Sequence, residues 1–144
     1  MEMSKLILVV EDCDDDYEVL SESFKEVEII NELVRCKDGQ EALDYLNKNG
    51  RQGNPKRPDL ILLDLNMPGI DGREVLRIVK SDFELQSIPV FILTTSESER
   101  DVEDCYKFGA NSYIPKPADF DGFIEALKVM KGFVFELSLL PKNT

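Results

Sequence analysis

Leu60-Ile61-Leu62-Leu63-Asp64-Leu65-Asn66-Met67-Pro68-Gly69-Ile70-Asp71-Gly72 is an apolar run that ends in one carboxylate and passes at once into a proline-glycine turn. Four consecutive apolar residues bounded by turn signals predict a strand buried on both faces, as in a parallel sheet covered by helices. Such a strand delivers Asp64 to the rim of the sheet, which makes it a candidate for chemistry.

Two other runs have the same form. Leu6-Ile7-Leu8-Val9-Val10 ends at Glu11-Asp12, and Pro89-Val90-Phe91-Ile92-Leu93 ends at Thr94-Thr95-Ser96. Two weaker strands flank them. Residues 32–36 alternate, with Arg35 interrupting Leu33, Val34 and Cys36, which suits a place nearer an edge. Ser112-Tyr113-Ile114 runs into Pro115, which cannot donate a ladder hydrogen bond and so belongs on an edge strand.

Helical signals fall between the strands. Tyr17, Leu20, Phe24 and Val27 recur at helical spacing, and Asp14-Asp15-Asp16 ahead of them reads as a solvated first turn, where the helix dipole favours acids. Asp38-Gly39-Gln40-Glu41, Asp71-Gly72-Arg73-Glu74 and Ser96-Glu97-Ser98-Glu99 each place an acid three residues after a capping residue. Asp119 can cap a last helix from Phe120 to about Leu139. Residues 51–58 contain two prolines, a glycine and three basic residues and read as a surface loop.

Five strands alternating with five helices predict an α/β, doubly wound, five-stranded parallel sheet of flavodoxin-like order 2-1-3-4-5 with an extended C-terminal helix. At 144 residues we expect one domain over 1–144, with 131–144 as a C-terminal extension. Ligands of such sheets bind beyond the carboxyl ends of the strands. Glu11, Asp12, Asp64, Thr94 and Lys116 all fall at that rim.

Composition removes several alternatives. Seventeen basic residues against twenty-nine acidic leave a net charge of -12, with no Lys/Arg cluster, which argues against direct nucleic-acid binding. Cys13, Cys36 and Cys105 are odd in number and far apart, so reduced thiols are expected rather than a disulfide or zinc site. No apolar run is long enough for a signal peptide core or a membrane span, and a cytoplasmic location is expected. The sequence holds neither GxGxxG nor GxxxxGK[ST]. With no histidine it can use no Ser-His-Asp arrangement and cannot itself donate a phosphohistidine.

The rim residues suggest their own chemistry. Two carboxylates about 4 Å apart repel by roughly 4 kcal/mol at an effective dielectric near 20, so a gathering of three calls for a cation. Oxygen ligands without histidine or paired cysteine select a hard ion, of which Mg2+ is the obvious one. A metal beside a strand-end aspartate, with a threonine hydroxyl and a lysine ammonium, suits phosphoryl transfer in which the carboxylate is the in-line nucleophile. A carboxylate-first phosphatase fits less well, because Asp64-Leu65-Asn66 lacks the second acid of a DxD motif.

Glu11-Asp12, Asp64 with Met67-Pro68-Gly69-Ile70-Asp71-Gly72, Thr94, and Tyr113 with Lys116-Pro117 together resemble the receiver domain of two-component response regulators, over roughly residues 5–130. The resemblance implies that Asp64 takes a phosphoryl group from the phosphohistidine of a sensor histidine kinase. It implies that Glu11, Asp12, Asp64 and the backbone carbonyl of Asn66 hold Mg2+, and that Thr94 and Lys116 contact the phosphoryl group. Thr94 and Tyr113 would form the switch, and the Lys116–Pro117 peptide bond would be cis. The rival within the same fold is a receiver-like adaptor that binds partners without phosphorylation; it would be marked by a missing acid, threonine or lysine, and none is missing.

Thr94-Thr95-Ser96, the lengthened 51–58 loop and the terminal Leu-Pro resemble the small stand-alone regulators that partner phytochrome-type histidine kinases. With no output domain expected, signalling would pass through partners or a second copy. Val129, Met130, Phe133, Val134 and Leu137 follow helical spacing beyond what one sheet can cover, and we expect them to form a homodimer interface, with folding back onto the domain as the alternative.

Overall fold

The computed structural model describes residues 5–28, 31–95, 98–116 and 120–131. The elements run β1 (Lys5–Val10), α1 (Asp14–Glu26), β2 (Asn31–Cys36), α2 (Gly39–Asn49), β3 (Leu60–Leu63), α3 (Gly72–Ser81), β4 (Val90–Thr94), α4 (Glu99–Lys107), β5 (Ser112–Pro115) and α5 (Phe120–Met130). All strand pairs are parallel and the order is β2-β1-β3-β4-β5, the expected doubly wound arrangement.

The apolar runs of β1 and β3 serve two cores at once, because alternate side chains leave opposite faces of a strand. Ile7, Val9, Leu60 and Leu62 pack with Leu20, Phe24, Phe123 and Leu127 under α1 and α5. Leu8, Val10, Ile61 and Leu63 pack with Ala42, Leu46, Val75, Leu76 and Val79 under α2 and α3. Each fully buried Leu or Ile contributes about 1.5–3 kcal/mol relative to exposure, so this alternation fixes strand register as well as stability.

Helix starts follow the capping signals, with one displacement. Asp38 accepts from Glu41 N–H at 2.8 Å, while Glu41 returns to the N–H of Lys37 at 2.9 Å. Asp71 accepts from Arg73 N–H at 2.7 Å. The cap of α4 is Ser98, not Ser96: its side chain accepts from Asp101 N–H, and Asp101 satisfies the same three-residue spacing two positions later. Ser96 and Glu97 lie outside the described residues, as does Asp119.

The 51–58 loop is tied down more firmly than its composition suggested. Arg57 is buried, donating to the carbonyls of Gly50 and Glu84 at 2.9 Å each and to Ser87 Oγ at 3.1 Å. The expected extension of the last helix toward Leu139 lies outside the described residues, and so do Phe133, Val134 and Leu137. Of the two remaining residues of the expected dimer surface, Val129 is exposed. Met130 is buried with Phe24 and Phe123 in the chain's own core. No helix among the described residues is long and apolar enough to cross a membrane.

Candidate functional site

The parallel register brings the expected residues to one rim. Val10 pairs with Leu63, and Asp64 N–H donates to the Val10 carbonyl at 3.1 Å, so Asp64 and Glu11 follow neighbouring strand ends. Thr94 pairs with Pro115 on the other side, and Lys116 N–H donates to the Thr94 carbonyl at 2.6 Å. Glu11, Asp64 and Thr94 are buried, whereas Asp12 is exposed at the mouth. Gly72 makes this geometry possible at the exit of β3: a Cβ there would stand 2.2 Å from the Asp64 carbonyl oxygen.

One carboxylate oxygen from each of Glu11, Asp12 and Asp64 lies within 4.8 Å of the other two. An all-oxygen set at this separation fits a hard divalent cation. Asn66, two residues beyond Asp64, turns its N–H to Asp64 Oδ1 at 3.3 Å. The cationic partner within the chain is Lys116, whose ammonium donates to Glu11 Oε1, to Asp16 Oδ2 at 2.9 Å and to Asp64 Oδ2 at 3.3 Å.

Burial and neighbours set the protonation of this cluster. Desolvation pushes the Glu11 carboxyl up to about 7; the Lys116 hydrogen bond opposes the rise and the charge of Asp64 adds to it. Burial works against the Lys116 ammonium, but the hydrogen bonds to Glu11 and Asp16 and the charge of Asp64 outweigh it and hold the group above the ordinary lysine range. Lys116 therefore remains a cation aimed at the carboxylates, able to neutralise an anionic group arriving at Asp64.

Tyr113 lies on β5 opposite Ile92, half-buried against the core under α2 and α3. No peptide bond among the described residues is cis, and Pro117, the second residue of the expected Lys116–Pro117 cis bond, lies outside them. All three cysteines are free, with Cys36 and Cys105 buried.

Three contributors were missed by sequence reasoning. Asp16, read as a solvated first-turn acid, reaches the Lys116 ammonium. No spacing signal could have found it, because Asp12 precedes the cap of α1 and the contact depends on where β5 places Lys116. Arg35, read only as an interruption of β2, donates to the Glu11 carbonyl. Arg73 bonds both Asp71 and Asp101, the latter at 2.5 Å from Nη2, and so ties the start of α3 to α4.

The family model for the response regulator receiver domain matches residues 7–128. The response regulator Rcp1 of Synechocystis sp. is 39% identical over 137 residues, covering 95% of this chain and 93% of that protein. The crystal structure of the phosphorylated cyanobacterial phytochrome response regulator RcpA superposes with a TM-score of 0.88 at 40% identity, over 97% of this chain and 100% of that one. The Mn(2+)-bound form of Rcp1 superposes with a TM-score of 0.85 at 39% identity, over 96% of this chain and 99% of that one.

Proposed function

The chain belongs to the response regulator receiver domain family, and from that premise we propose that Asp64 is the phosphoacceptor of a two-component relay, loaded from a sensor histidine kinase. The observation that carries this reading is the convergence of Glu11, Asp12 and Asp64 within 4.8 Å beside the Lys116 ammonium. One oxygen of the Asp64 carboxylate attacks phosphorus in line. The P–N bond to the donor's imidazole breaks, its electron pair stays with the departing ring, and a P–O bond to Asp64 forms.

Lys116, already 3.3 Å from Asp64 Oδ2, turns its ammonium to the oxygens of the moving phosphoryl group, and Thr94 supplies its hydroxyl from the end of β4. Glu11, Asp12, Asp64 and the Asn66 carbonyl hold Mg2+, which supplies further neutralisation of phosphoryl charge when bound. The oxygen-only donor set supports the ion, as does the Mn(2+)-bound form of the relative Rcp1. Thr94 and Tyr113 act as the switch pair: the buried threonine follows the phosphoryl group, and the half-buried tyrosine on the neighbouring strand follows the threonine.

The likeness to RcpA and Rcp1 supports a phytochrome-type histidine kinase as donor. Homodimerisation through α5 has narrower support: Val129 is exposed, Met130 is occupied by the core, and Phe133, Val134 and Leu137 lie beyond the described residues. Sedimentation at micromolar concentration tests the dimer, which a monomer both with and without phosphorylation would exclude.

Incubation with a small acyl phosphate and Mg2+ is expected to add one phosphoryl mass to the wild type and none to Asp64→Asn. An unmodified wild type would overturn the phosphoacceptor reading.

A further inference from the structure

The turn that carries Glu11 and Asp12 lacks a device found at the other described helix starts. Asp38, Asp71 and Ser98 cap α2, α3 and α4 with side-chain acceptors, whereas Cys13 at the start of α1 makes no side-chain cap bond. The turn is held by the Glu11 N–H on the Cys36 carbonyl at 3.0 Å and by the Cys13 N–H on Glu11 Oε2 at 3.3 Å, which leaves the Glu11 carbonyl and the helix start to be fixed by a further group.

Arg35 supplies that further group, from β2. Its Nε and Nη2 donate to the Glu11 carbonyl oxygen at 3.2 and 3.1 Å. Its Nη1 lies 2.7 Å from Asp14 Oδ1, and its guanidinium carbon stands 4.7 Å from the centroid of the Tyr17 ring. The Arg35 side chain is 16% exposed, so its bonds to the Glu11 carbonyl are only partly screened, whereas Asp14, at 75%, is open to solvent. One planar fork thus grips the carbonyl before Asp12, the first residue of α1 and a ring on that helix's first turn, a geometry that lysine cannot reproduce.

We propose that Arg35 is a positioning residue for the divalent-cation site, holding the β1–α1 turn so that Glu11 and Asp12 aim at the same point as Asp64. The proposal rests on the reading of Asp64 as a Mg2+-dependent phosphoacceptor. Arg35 bonds neither side-chain carboxylate of the ligand pair; it acts through the main chain and the helix start. The sign of its effect separates positioning from charge. By Coulomb's law alone, removing a cation near the site tightens a dication, whereas losing the clamp loosens it.

The test is calorimetric titration of the full chain with Mg2+, together with the Mg2+ dependence of Asp64 labelling by a small acyl phosphate. Arg35→Gln is expected to raise the Mg2+ dissociation constant and the half-saturating Mg2+ concentration about tenfold, as supporting groups around metal ligands do. The labelling rate at saturating Mg2+ should remain near wild type. Arg35→Lys keeps the charge and should weaken Mg2+ as well. Unchanged or tighter binding in Arg35→Gln overturns the proposal. Should Arg35→Gln fail to fold, Tyr17→Leu removes the ring arm without a change of charge, and wild-type affinity there overturns it equally. A wild type that neither binds Mg2+ nor becomes labelled overturns the underlying reading and the proposal with it. A wild type that does both, beside an unaffected Arg35→Gln, overturns the proposal alone.

Discussion

Asp16 Oδ2 accepts a hydrogen bond from Lys116 Nζ at 2.9 Å, joining the first turn of α1 to the end of β5 across 100 residues of sequence. Because the Asp16 side chain is 44% exposed, the pair contributes up to about 1 kcal/mol. An anion arriving at Asp64 draws Lys116 away from it, so Asp16 competes with the phosphoryl group. Asp16→Asn is expected to bind fluoroberyllate, a phosphoryl mimic, up to about fivefold more tightly in the presence of Mg2+. Equal or weaker binding in an NMR titration would remove the competitor role.

Gly72 sits where α3 touches the end of β3. An alanine Cβ would meet the Asp64 carbonyl oxygen at 2.2 Å and Leu65 Cα at 2.7 Å, both main-chain atoms that move only with the strand. Gly72→Ala should cost about 1–3 kcal/mol in urea unfolding and slow Asp64 labelling. Gly69, at φ 77 with open space around its added Cβ, offers a contrast. Gly69→Ala should lose stability through backbone strain alone, about 1–2 kcal/mol. A Gly72→Ala protein as stable and as readily labelled as wild type would refute the close-approach argument.

Burial pushes the thiols of Cys36 and Cys105 up to about 11 from the ordinary 9.0. Between about pH 9 and 11 the unfolded chain releases protons that the native state keeps, so this contribution is intact below 9 and falls as pH rises through that window. Lys80, whose ammonium burial pulls down to about 8, acts in the opposite sense over an overlapping range. The informative quantity is therefore the difference in unfolding free energy between wild type and Cys36→Ala/Cys105→Ala. It should move against the wild type on going from pH 8.5 to 10.5, and a constant difference would contradict the shifts. At neutral pH, Ellman's reagent should find one fast thiol, the exposed Cys13.

Most of the fold was legible because Leu6 to Val10, Leu60 to Leu63 and Pro89 to Leu93 are apolar at every position, a pattern that a strand covered on both sides demands. The rim residues were legible for the same reason: Glu11, Asp64 and Lys116 each follow a strand, and Thr94 ends one. What escaped notice depends on long side chains crossing between elements. Nothing in the local sequence of Arg35, Arg57 or Arg73 names its partner, and only the relative placement of strands and helices shows which carbonyl or carboxylate each one reaches. Ser96 and Ser98 both satisfy the cap spacing, so pattern alone could not choose between them. Met130 fits a helical stripe, but a stripe does not say whether it meets its own sheet or a second copy.

The Lys116 ammonium that balances Glu11, Asp16 and Asp64 is supplied by the residue just after β5. During synthesis the three acids leave the ribosome well before their counter-charge does, at about 5–20 residues per second. Until β5 docks beside β4, the nascent chain carries a rim of like charges and no lysine to greet a phosphoryl group. On the proposed reading, a site whose acids are balanced by Lys116 is therefore complete only once β5 has docked.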